Sequence, residues 1–291
     1  MNQDRVRSAL IALRSRLPSI SDRNVVEIVA LLQHRKAVVR LVLDAWEWLV
    51  LREALPELGL SGRNAKFQLR VRVSTRLGDR FTVSAPWSDH DAGAILVYIA
   101  HTPDRIDAAL ALEETPESLE LGRLLGYPDC CVAGYGEIVA GRPWVEKVLD
   151  TPERSVLSLY ANKLGYLFRG SPSFLPDFYP CSLACAQSAR LGRENCQGLH
   201  AFGLGSLATS MKAKLSRPIV YMPGLLAQLP QAHVEGEYIV FDTEAVNYYE
   251  FGFPEGRTLF SSGRMPRDST HLDTVAYRML TFVDDAAGAR A

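Results

Sequence analysis

Apolar residues first recur at helical spacing. Leu10, Leu13 and Leu17 form one row, and Ser21 stands where it can cap a second helix carrying Val25, Ile28, Val29 and Leu32. Residues 37–55 read as a third helix. Leu41, Ala45, Trp48 and Arg52 share one face and Val38, Val42, Trp46 and Leu49 another, a breadth that places both tryptophans in the core. The period then shortens to two. Phe67, Leu69, Val71 and Val73 alternate with polar residues, 77–80 supplies a turn, and Phe81 and Val83 resume the alternation, which predicts a hairpin. The continuous apolar run at 94–100 is a candidate central strand.

From 104 to 215 the pattern is helical again. Thr115-Pro116-Glu117-Ser118 is a start signal for a helix ending at Gly126. Strand character returns at 218–222 and 237–242, followed by a terminal helix near 273–280 and a frayed tail from 284 to 291. These elements predict an α+β fold with N-terminal helices, a small mixed or antiparallel sheet and a helical cysteine-bearing region. The expected segments are 1–60 helical, 61–112 β-rich, 113–215 helical with the cysteine motifs, and 216–283 α/β. All of them can belong to one domain.

Composition narrows the function. In 291 residues, 32 Lys and Arg balance 33 Asp and Glu, so no general electrostatic case exists for a nucleic-acid or membrane-surface binder. The polar start of the chain is not that of a secretory signal, and no apolar stretch is long enough to span a bilayer. The expected setting is the cytoplasm. There, the five cysteines 130, 131, 181, 185 and 196 point to metal or thiol chemistry, because an odd count without an export signal argues against a disulfide framework.

Two segments carry this chemistry: Gly126-Tyr127-Pro128-Asp129-Cys130-Cys131 and Tyr179-Pro180-Cys181-Ser182-Leu183-Ala184-Cys185. Proline favours the first helical position, which puts Cys130 and Cys181 in the first turns of two helices, where the dipole favours a thiolate. On a helix Cys181 and Cys185 would share a face one turn apart. Cys130 and Cys131 would diverge by about 100°, so that one ligates and the other lies behind, unless a multi-iron cluster accepts both. Cys196 is read as a packed thiol, with Gly192 as a candidate helix break before it.

These residues resemble an uncharacterised archaeal and bacterial domain family with a G-Y-P-x-C-C segment and a downstream P-C-S-x-x-C segment followed by serine. Cys130, Cys131, Cys181, Ser182, Cys185 and Ser188 match, and the resemblance covers residues 120–195. In that family a histidine precedes the second motif. Here Asp177, Phe178 and Tyr179 stand in that place. The resemblance implies a cysteine-rich metal site and little about substrate.

The expectation is therefore a metalloprotein with Cys130, Cys131, Cys181 and Cys185 as ligands. An iron–sulfur cluster doing redox or sulfur-transfer chemistry on a small-molecule substrate is the leading reading. A zinc-stapled binding or scaffold protein and a metal-free thiol enzyme are the alternatives. Arg190 is a candidate anion contact, and His101, at the end of the 94–100 strand, a candidate site residue. Ser88-Asp89-His90-Asp91 reads as a polar turn, and His200, four after Cys196, as a weak second pair. Gly203-Leu204-Gly205 lacks the third glycine of a dinucleotide fingerprint. The aromatic stretch 248–254 reads as core packing.

Overall fold

The computed structural model describes residues 3–73, 80–86, 94–115, 119–139, 157–164, 175–222, 225–250, 260–266, 271–272, 275–276, 278–280 and 282–284. It is an α+β structure that begins with two helices, α1 (Gln3–Arg16) and α2 (Asp22–Leu32). Leu10, Leu13 and Leu17 are fully buried, as their row requires. Ser21 caps α2, its hydroxyl accepting from the Asn24 N–H at 3.3 Å.

The segment 37–55 departs from the expected single helix. It is strand β1 (Val38–Leu43) followed by helix α3 (Ala45–Ala54). Asp44 divides them, because its carboxylate accepts from the Glu47 N–H while Glu47 reaches back to the Asp44 N–H in a capping box. A short apolar run rich in β-branched residues satisfies both periods, and pairing in a sheet decides between them. The tryptophans split accordingly, Trp48 buried at 7% exposure and Trp46 standing 64% exposed.

β2 (Ser61–Val73), β3 (Arg80–Pro86) and β4 (Ala94–Ala100) complete an antiparallel sheet in the order β1-β4-β2-β3. The expected hairpin is present as β2–β3, with its turn outside the described residues, and β4 lies inside the sheet. Both faces of β4 are covered, which explains its unbroken apolar run. Ile95, Val97 and Ile99 join the core made by α1, α2 and α3. Leu96, Tyr98 and Ala100 pack against Ile106, Ala109, Leu121 and Leu125 from α4 (Pro103–Glu113) and α5 (Leu119–Leu124) and the residue just after it.

Among the described residues α6 (Asp129–Val139) and α7 (Ala186–Ala201) follow, with the short strand β5 (Leu157–Ser158) and a 3₁₀ turn at Leu159–Ala161 between them. α7 runs through Gly192 unbroken. A Cβ there would lie 2.3 Å from the Tyr160 carbonyl oxygen, so this glycine admits a close approach to the 3₁₀ turn. α8 (Gly205–Leu215) leads into small antiparallel sheets. They comprise β6 (Ile219–Met222), β7 (Leu225–Gln228), β8 (His233–Glu235), β9 (Tyr238–Val240), β10 (Asn247–Glu250) and β11 (Arg264–Pro266).

The chain closes with β12 (His271–Leu272), β13 (Val275–Ala276), β14 (Arg278–Leu280) and β15 (Phe282–Val283). The terminal helix expected at 273–280 is thus replaced by strands. β14 pairs with β6, Met279 opposite Val220, a partner nearly sixty residues away that local periodicity does not register. Asp284, the first residue of the expected frayed tail, is anchored. It accepts from the Tyr160 hydroxyl at 2.8 Å and pairs with Lys212 at 2.5 Å. One apolar core contains residues from Val6 to Phe282. Among the described residues, no helix is long and apolar enough to cross a membrane.

Candidate metal centre

The first cysteine segment is built by two helix ends meeting. Gly126, at φ +77°, closes α5 in a Schellman turn, with its N–H on the Arg123 carbonyl (2.9 Å) and the Tyr127 N–H on the Gly122 carbonyl (3.0 Å). Pro128 follows at once and its carbonyl accepts the Cys131 and Val132 N–H groups, opening α6. Cys130 and Cys131 therefore occupy the first turn of a helix, as expected.

The second segment folds otherwise. Residues 181–184 form a turn, not a helix, closed by the Cys185 N–H on the Ser182 carbonyl at 3.2 Å. Cys185 is the N-cap of α7, its sulfur accepting from the Ser188 N–H at 3.4 Å. Cys181 and Cys185 are thus not neighbours on one helix face. The turn brings their sulfurs together instead.

All four sulfurs meet. Sγ of Cys130, Cys131, Cys181 and Cys185 lie within 4.8 Å of one another. Cys130 and Cys131 are 3.9 Å apart, Cys130 and Cys185 3.8 Å, and Cys131 and Cys185 3.7 Å. The adjacent pair at 130 and 131 therefore brings both of its sulfurs into the group. Cys131 and Cys185 are buried, Cys181 is half-buried and Cys130 is exposed.

Without an ion, these thiols share their protons unequally. The Cys185 thiol is drawn down to about 5 by the hydrogen bond from Cys131, and the Ser188 N–H also favours its thiolate. Its donor Cys131 is pushed up by that same bond and by burial. Cys181 rises to about 12 through burial and the charge on Cys185. A metal cation, were one bound here, would hold several of these sulfurs as thiolates.

Around the thiols lies a buried ionic network that sequence reasoning missed. Asp177, 7% exposed, pairs with Arg23 of α2 and accepts from the Tyr127 hydroxyl at 3.1 Å. Burial opposes its charge, yet Arg23, Lys163 and Lys36 hold its carboxyl below the ordinary value. Lys163 donates to the Asp177 carbonyl at 2.9 Å and sits 4.7 Å from the Tyr179 ring centre. Burial drives its pKa down to about 7. Glu27 pairs with Lys36 at 2.5 Å, and burial raises its pKa. One signal was available in the sequence: Glu27 interrupts the otherwise apolar run Val25–Val26, Ile28–Leu31.

The remaining candidates lie apart from one another. His101 contacts the Leu31 carbonyl through Nε2 at 2.9 Å and stacks on His34 with ring centres 4.3 Å apart. Arg190 is exposed on α7, bonded to Glu194 at 2.8 Å and Gln187 at 3.2 Å. On the same helix Cys196 is buried while His200 is exposed, so the pair does not converge. Gly203, at φ +76°, closes α7 in a second Schellman turn, and Gly205 opens α8 close against the His200 ring. Tyr248 packs edge-on against Phe260 at 5.7 Å. Ser88–Asp91 and residues 251–254 lie outside the described residues.

The fold and site define a protein with a four-thiol cluster built between two helix starts. A family model described as a protein of unknown function (DUF483) matches residues 105–202, from α4 to the end of α7. The matched third of the chain includes all four clustered cysteines. No curated protein and no solved structure matches the chain.

Proposed function

We propose that Cys130, Cys131, Cys181 and Cys185 bind a single zinc ion that staples α6 to the start of α7. The spacing of the sulfurs carries this reading. Thiolates about 2.3 Å from a tetrahedral zinc ion lie about 3.8 Å from one another; the three separations among Cys130, Cys131 and Cys185 run from 3.7 to 3.9 Å, and the Cys181 sulfur lies within 4.8 Å of each of them. A four-iron cube would place an iron–sulfide core between the thiolates and spread them further apart. The spacing therefore favours one ion over the cluster expected from sequence.

Four thiolates complete a tetrahedral shell, the arrangement of structural zinc sites. Cys130 and Cys185 are 55 residues apart, so the ion closes a long loop. The reading includes a reducing compartment, the cytoplasm, in which thiols remain available to a metal.

The test is metal and acid-labile sulfide analysis of protein purified anaerobically, with its absorption spectrum. One zinc per chain in colourless protein is the expected result, lost in Cys181→Ala and Cys185→Ala. Iron with matching sulfide and broad visible absorption would replace this reading with the iron–sulfur enzyme. Metal-free protein with one rapidly alkylated cysteine would replace it with a thiol enzyme.

A further inference from the structure

Beside the thiol cluster, on the side facing the first sheet, lies a cavity of about 120 Å³. Its walls are mainly aromatic and aliphatic. Tyr127 and Phe178 meet with ring centres 5.1 Å apart, and Tyr135 stacks on Tyr179 at 6.2 Å with the rings 6° from parallel. Tyr135, 44% exposed, stands at the rim, and Cys131 forms part of the wall. The volume is close to that of a cavity of about 150 Å³ that takes benzene.

The polar groups that face this space restrict what can fill it. Asp177 lines it, but one oxygen is engaged by Arg23 and the other accepts the Tyr127 proton. The Tyr127 hydroxyl is therefore committed as a donor. Arg40, from β1, also lines the cavity; its Nη1 is ion-paired with the Glu113 carboxylate at 3.2 Å, so a ligand carboxylate would share the guanidinium with Glu113 through its other N–H groups. A guanidinium only donates, and its planar fork fits a carboxylate. A ligand with a cationic head would face Arg40 and find Asp177 already paired.

We propose that this cavity binds a small planar carboxylate, its ring against the tyrosines and phenylalanine and its carboxylate on Arg40. An apolar cleft with one charged group fixing orientation is the usual build of a small-molecule site. The site is independent of which metal the thiols hold, so it supplies a place for a small-molecule partner even where the metal is structural.

Calorimetry and ligand-observed NMR on the full chain, with metal content measured in every sample, test this. The probes are benzoate, benzyl alcohol, benzylamine and acetate. Benzoate should bind at least about tenfold more tightly than the other three, since only it offers both ring and carboxylate. Arg40→Met and Tyr135→Ala should each weaken benzoate about tenfold while metal content stays unchanged. Should Arg40→Met fail to fold, the exposed Tyr135 position decides. Benzoate binding no tighter than acetate, or untouched by Tyr135→Ala, overturns the proposal, and the metal analysis stands or falls separately.

Discussion

Tyr127-Pro128 and Tyr179-Pro180 each lead into a pair of cysteines, but the two pairs are presented by different backbone. The first follows a helix that ends on Gly126, so the chain reverses once and Pro128 opens α6 directly. Both its cysteines ride on a helix. The second precedes a turn, and its helix begins only after Cys185. Here the cysteine itself replaces the usual serine or aspartate as cap. A rigid helical pair thus meets a turn whose ends are set by α7, and the resulting site depends on where α7 packs.

The largest effect should come from the capping cysteine. Cys185→Ala removes a proposed ligand, the hub of two sulfur contacts and a helix cap. It should abolish bound metal and cost on the order of 5 kcal/mol in urea unfolding. Cys130→Ala, at an exposed position, should weaken metal retention less. Equal losses in the two variants would erase the distinction between the pairs.

The helices behind the pairs can be probed through their glycines. Gly192→Ala forces a Cβ to within 2.3 Å of the Tyr160 carbonyl oxygen, and displacing α7 should cost about 2–3 kcal/mol and loosen metal binding. An unchanged melting temperature would show that α7 is not the element that positions Cys185.

Lys163 links the second segment to the buried charges of α2. It is surrounded by Asp177, Arg23, Glu27 and Lys36, and its pKa falls from the ordinary 10.5 to about 7. Where it is charged in both folded and unfolded chains, below about pH 7, the burial penalty is complete. The penalty is released as pH rises toward 10.5, so this residue makes stability increase across that window. Lys163→Met should flatten that rise by about 2 kcal/mol, read from urea midpoints between pH 7 and 9.5. A parallel curve for the variant would assign the rise to other groups.

The smallest effect belongs to α6. A Cβ at Gly136 meets nothing within 4 Å, so Gly136→Ala should add about 0.5–1 kcal/mol through helix propensity alone. Destabilisation there would mean that α6 is held as tightly as α7.

Local chemistry was legible wherever a short stretch decides its own conformation. The leucine row of α1, the Ser21 cap, the Gly126 stop and the Pro128 start are all set by neighbours within a few residues. The cysteine pairs stood out because four thiols at two similar motifs are hard to explain as filler. Periodicity failed at 38–43 and 278–280, where strand partners lie far along the chain and cannot be read from a window. It failed also at Cys181, because Tyr-Pro opens a turn as readily as a helix.

The sequence alone determined the α+β class and the four thiols that matter. Tertiary structure decided how near the sulfurs come and which one carries the cap. It also decided that Asp177, Arg23, Glu27 and Lys163 share one buried network, and that Arg40 faces an aromatic cavity beside Cys131. The reason is physical. Helix caps and stripes are local free energies, whereas metal spacing, charge burial and cavity shape depend on distances between segments that only packing fixes.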